Sequence, residues 1–98
     1  MIKKIMEDLK SFDVLYFSTT VCGPCKVSKP LVEKASDENG INTKFITVDK
    51  DENGRTLAGE YGVRSVPTLI FLKEGEEVGR RVGSLNEKQF VDLWESFK

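Results

Sequence analysis

Cys22 and Cys25 are the only thiols in the chain, they stand three positions apart as Cys22-Gly23-Pro24-Cys25, and the sequence contains no histidine. A cysteine pair at this spacing can do three things. It can hold zinc, but a structural zinc site takes about four nitrogen or sulfur ligands. Two cysteines without a histidine would need carboxylates to complete the shell. It can be a permanent staple, but a disulfide closing so short a loop constrains little of the unfolded chain. It can cycle between dithiol and disulfide. The third use has physical support if Cys22 opens a helix, because unpaired N–H groups and the positive end of the helix dipole stabilise a thiolate there. Cys25, one turn further in, would be better shielded, and could attack a mixed disulfide formed on Cys22. The absence of histidine excludes a Cys-His nucleophile. Lys26 either adds positive charge to this site or is an ordinary solvated lysine, and the sequence leaves both readings open.

The surroundings agree with a compact carrier of such chemistry. At 98 residues the chain is expected to form one domain, 1–98, large enough to bury a core without staples. With 15 basic and 16 acidic residues interspersed, net charge −1, it offers no electrostatic footprint for nucleic acid or a membrane surface. The start Met1-Ile2-Lys3-Lys4-Ile5-Met6-Glu7-Asp8 reaches acidic residues before any apolar run long enough for a signal peptide or a membrane span. A cytoplasmic location is therefore expected, where a close cysteine pair is more often catalytic or metal-binding than structural. There is no internal repeat and no low-complexity segment.

Hydrophobic spacing supplies the elements that position the thiols. Ile2, Ile5, Met6 and Leu9 fall on one helical face, and Ser11-Phe12-Asp13 breaks that helix. Val14 to Thr19 is a nearly continuous β-favouring run, as expected for a strand covered on both faces. A second helix follows from Gly23 with Val27, Leu31 and Ala35 at helical spacing. Pro24 is tolerated in its first turn, Pro30 removes a backbone bond inside it and bends it, and Asn39-Gly40 ends it. Lys44 to Asp49 reads as a strand parallel to the first through a right-handed crossover. Asp51 to Gly62, with Leu57, Ala58 and Tyr61, reads as a short helix. Thr68 to Leu72 and Glu77 to Val82 form an antiparallel hairpin around Lys73-Glu74-Gly75-Glu76. The last helix starts at Asn86 with Gln89 as capping partner and a Leu85–Phe90 staple, and buries Phe90, Leu93, Trp94 and Phe97. The predicted architecture is α/β, in the order α-β-α-β-α-β-β-α, with a mixed four-stranded sheet flanked by helices.

Cys22-Gly23-Pro24-Cys25-Lys26, Pro30, Val66-Pro67-Thr68 opening a strand, and Val82-Gly83 before the last helix together resemble the thioredoxin family, in order and over most of the chain from Val14 to Phe97. The resemblance implies a thioredoxin fold lacking the usual N-terminal strand. It implies reduction of disulfide-containing protein substrates, recharging by a thioredoxin reductase using NADPH or another donor, a monomer, and no bound cofactor or metal. Residue by residue it makes Cys22 the nucleophile and Cys25 the resolving thiol. It makes Pro67 a cis-proline beside them, with Val66 offering backbone groups to a substrate strand. Gly83 would keep the surface open, and Val21, Gly23, Pro24 and Val82 would complete an apolar docking patch.

Four positions depart from the family pattern. Tyr16 stands six residues before Cys22, where the family carries a buried Asp thought to help deprotonate the resolving thiol. A phenol of ordinary pKa ~10 is a poor base near neutrality. Tyr16 is therefore either a core aromatic whose hydroxyl finds a partner or a group that orients Cys25. Phe45 replaces the lysine that accompanies that Asp, and Val21 and Ser18 replace two tryptophans, leaving Trp94 as the only one. Phe17-Ser18 and Ser65-Val66-Pro67 are also compatible with glutaredoxin, which reduces glutathione mixed disulfides. Gly-Pro between the cysteines and Gly83-Ser84-Leu85-Asn86 fit thioredoxin better. A third possibility, from a different class, is a partner-binding subunit in which the thiols are incidental.

Overall fold

A computed structural model describes residues 2–98; Met1, where the N-terminal reading begins, lies outside the described residues. The described elements are α1 (Ile2–Leu9), β1 (Val14–Ser18), α2 (Gly23–Asn39), β2 (Thr43–Thr47), α3 (Gly54–Glu60), β3 (Thr68–Lys73), β4 (Glu76–Val82) and α4 (Glu87–Phe97). Their order is the predicted one. The strands form one four-stranded sheet in the order β2-β1-β3-β4. β1 runs parallel to β2 and antiparallel to β3, and β3 runs antiparallel to β4.

The apolar run Val14-Leu15-Tyr16-Phe17 is continuous because both faces of β1 are covered, and all four residues are fully buried. Alternation then divides them. Val14 and Tyr16, with Leu69 and Phe71 of β3, meet Val32 and Ala35 of α2 and Phe90 of α4. Leu15 and Phe17, with Ile70 and Leu72, meet Leu9 of α1 and Leu57 and Ala58 of α3. Helices thus cover both faces, and the two edge strands β2 and β4 carry most of the charge and exposure.

Local chemistry explains most element ends. Gly40 closes α2 in the left-handed conformation at φ 64°, its N–H donating to the Ser36 carbonyl. Asn86 caps α4 with the reciprocal Gln89 bonds of a capping box, 2.8 and 2.9 Å long. β2 stops at Thr47 rather than Asp49, because the Asp51 carboxylate takes the Thr47 N–H at 2.8 Å and the chain turns there. The same turn delays α3 to Gly54.

The buried face of α2 differs from its apolar spacing. Cys25, Ser28, Val32, Ala35 and Ser36 point inward, whereas Val27 is 65% exposed. Two serines can occupy the inward face because each hydroxyl is bonded to a neighbouring strand: Ser28 to Tyr16 of β1, and Ser36 to Thr43 of β2 at 2.7 Å. α2 runs through Pro30 as a single helix, so the missing N–H at that position is absorbed without a break.

Candidate active site

The site lies at the end of the sheet where β1 finishes and β3 begins. Phe17 pairs with Thr68, so the chain leaving β1 toward the cysteines passes beside Pro67. Cys22 is the N-cap of α2, in extended conformation, and Gly23, Pro24 and Cys25 form the first turn. Pro24 has no N–H, so the first-turn amides left to aim at the cap are few. That of Cys25 donates to Cys22 Sγ at 3.1 Å. The two cysteines are joined in a disulfide with Cα atoms 5.2 Å apart. Both are buried, Cys25 at 3% exposed more deeply than Cys22 at 7%.

Pro67 follows a cis peptide bond and is buried, with Val66 half-buried before it. The Gly83 N–H donates to the Pro67 carbonyl at 2.9 Å, and Val82 pairs with Thr68, which ties the end of β4 to the start of β3. Gly83 has φ 103°, a conformation that L side chains rarely adopt, and open space where a Cβ would stand. Around this junction Val21 is 85% exposed and Val82 56%, and Gly23 and Pro24 are also exposed. The strand pairings therefore bring Val66, Pro67, Val82 and Gly83 to the end of the sheet where β1 leads into the cysteines, and Val21, Gly23 and Pro24 are exposed around the cysteines in sequence.

On the β2 side the surroundings are polar. A cavity of about 250 Å³ is lined by Ser18, Thr19, Thr20, Cys25, Lys26, Lys29, Thr47 and Lys50. Lys26 thus shares this cavity with Cys25. Asp49 secures the loop in front of Cys22: Thr20 donates to its carboxylate from the backbone N–H at 3.0 Å and from the hydroxyl at 2.5 Å. Those bonds, the hydroxyl's first, hold the Asp49 carboxyl below the usual carboxylate range. Neither Asp49 nor Thr20 stands out in the sequence, since the two are 29 positions apart and only the β1–β2 pairing brings them together.

Tyr16 is fully buried and its hydroxyl is hydrogen-bonded to Ser28 Oγ at 2.5 Å. Burial pushes its phenol pKa up, against a smaller opposing contribution from Ser28. Tyr16 and Phe45 stand side by side on β1 and β2 with ring centroids 5.4 Å apart, so an aromatic pair occupies the places where the family carries an Asp and a lysine. Helical spacing could have pointed to Ser28 and Lys29, which lie one turn beyond Cys25.

The Thioredoxin family model matches residues 2–96. The chain belongs to the thioredoxin family. It is 50% identical over 72 residues to thioredoxin of Bacillus subtilis, covering 74% of this chain and 68% of that one. It is 38% identical over 71 residues to thioredoxin of Rickettsia typhi, covering 72% and 67% respectively. Among solved structures, a mutant thioredoxin from Halobacterium salinarum aligns with TM-score 0.81 at 34% identity, covering 97% of this chain and 83% of that one. Thioredoxin of Fasciola hepatica aligns with TM-score 0.78 at 30% identity, covering 99% and 91%. The four-stranded sheet with its four helices is a thioredoxin fold. In this family member Cys25 shares its cavity with Lys26, Lys29 and Lys50.

Proposed function

We propose that residues 1–98 act as a single thioredoxin-like domain, a cytoplasmic monomer that reduces disulfides in protein substrates through Cys22 and Cys25. The observation that carries the reading is Cys22 Sγ at the helix cap, accepting the Cys25 N–H at 3.1 Å. A thiolate at that atom gains a charge-assisted hydrogen bond and the helix dipole, so Cys22 is the attacking group.

The substrate strand lies along Val66 and Pro67, bordered by Val21, Gly23, Pro24, Val82 and Gly83. The Cys22 thiolate attacks one substrate sulfur, the substrate S–S bond breaks, and the departing sulfur takes a proton from solvent. The Cys25 thiolate then attacks Cys22 Sγ. The mixed disulfide breaks, the second substrate sulfur leaves and is protonated, and the protein is left with the Cys22–Cys25 disulfide. Two electrons from a thioredoxin reductase return it to the dithiol.

Insulin reduction tests this reading. Turnover should be driven by NADPH with a thioredoxin reductase and be abolished in Cys22→Ser. Turnover driven by glutathione instead would favour the glutaredoxin-like reading. Full biological activity in a Cys22→Ser, Cys25→Ser double variant would favour a partner-binding subunit.

A further inference from the structure

The resolving step needs Cys25 to lose its proton, and the cavity beside Cys25 contains no carboxylate to receive it. Tyr16 does not serve as the base. Its hydroxyl is engaged with Ser28, and the ring is sealed in the core. The cavity instead brings three lysines, Lys26, Lys29 and Lys50, to the wall that Cys25 shares. None of the three has a salt-bridge partner among the described residues.

Lys29 is the best placed. It lies four positions after Cys25 in α2, so the two side chains are neighbours on the helix surface. It is half-buried, and its ammonium sits over the Phe45 ring, 5.7 Å from the centroid. Phe45 is in turn held against Tyr16. The aromatic pair therefore anchors the ammonium of a lysine that lines the same cavity as Cys25.

We propose that Lys29, anchored on Phe45, is a positioning residue whose charge stabilises the Cys25 thiolate and so promotes the resolving step. The thiol proton goes to water in the cavity rather than to a protein carboxylate. Lys26 from the same helix and Lys50 from the β2–α3 turn add to the field. Asp49 and Asp51, bonded to Thr20 and to the Thr47 N–H, and Glu33, one turn beyond Lys29 in α2, carry opposing charge, but none of the three lines the cavity, and Tyr16 is neutral. The proposal rests on Cys25 being the resolving thiol.

The test uses the full chain with Cys22→Ser, in which Cys25 is the only thiol and its titration is read by thiolate absorbance. Adding Lys29→Met should raise the Cys25 pKa by roughly 0.5 to 1, the order expected for a neighbouring unit charge under partial screening. Lys29→Arg should restore it. Raising ionic strength in the Cys22→Ser protein should shift the titration the same way, a readout that does not depend on any lysine variant folding. With Cys22 present, Lys29→Met should move the pH profile of mixed-disulfide resolution to higher pH by the same amount. A Cys25 titration that does not respond to Lys29→Met overturns the proposal, and one that does not respond to salt overturns it whether or not the lysine variant folds. If competitive alkylation showed Cys25 to be the attacking thiol, the assignment would fail while the Lys29 effect on its titration would remain, so the two failures are separable.

Discussion

The Tyr16–Ser28 pair should behave as a structural hydrogen bond, not a proton relay, and a double-mutant cycle makes this quantitative. Both residues are fully buried, share one bond of 2.5 Å, and no buried side-chain nitrogen or oxygen among the described residues lacks a partner. Tyr16→Phe removes one hydroxyl and leaves the other in the core, at about 1–3 kcal/mol. Ser28 can turn to the carbonyl one helical turn back, which brings its case toward the lower end of that range. Ser28→Ala strands the Tyr16 hydroxyl, which has no such local escape and should cost as much or more. The double variant removes both polar groups, so it should be less destabilised than the sum of the singles by about 1 kcal/mol. For a domain of this size 1 kcal/mol corresponds to roughly 4–8 °C in Tm. Urea denaturation of the oxidised proteins at pH 7 measures all four corners. Simple additivity would refute the shared bond. In parallel, Tyr16→Phe should leave the pH profile of the resolving step in place; a lost or displaced limb would refute the structural reading of Tyr16. With the folded phenol pKa raised above its unfolded value of ~10, the neutral form is favoured by folding. That stability is present below ~10 and is lost as pH rises toward the folded value, and Tyr16→Phe should flatten part of that loss.

Three further outcomes are expected. Asp49→Asn should slacken the loop before Cys22 and slow substrate reduction several-fold; since the folded Asp49 pKa is lowered, its contribution is present above the usual carboxylate value and lost as pH falls, so wild type and variant should converge in acid. Gly79→Ala should destabilise the fold by about 1 kcal/mol or more, because a Cβ there would strike the Phe97 ring that packs on Phe71, and an unchanged urea midpoint would refute the contact. In the reduced protein, iodoacetamide at pH 6 should label Cys22 before Cys25, and the reverse order would refute the helix-cap assignment.

Periodicity and punctuation in the chain were enough to determine the order of all eight elements, the parallel β1–β2 pair and the β3–β4 hairpin, the Asn86–Gln89 cap and the Gly40 stop, while the antiparallel β1–β3 pairing came only with the fold. These are short-range signals: an apolar repeat, a capping side chain or a turn residue acts within a few positions of itself. The thiol pair and its place at a helix start were legible for the same reason. The tertiary structure decided what depends on which strands become neighbours. Val27 has the spacing of a core residue yet faces outward, because the sheet selects the face carrying Cys25 and Ser28. Asp49 reaches Thr20, and Lys29 reaches Phe45, only because β1 and β2 pair across the α2 crossover. Those long-range contacts place an acid on the loop before one cysteine and lysines beside the other, and no local pattern in the chain encodes them.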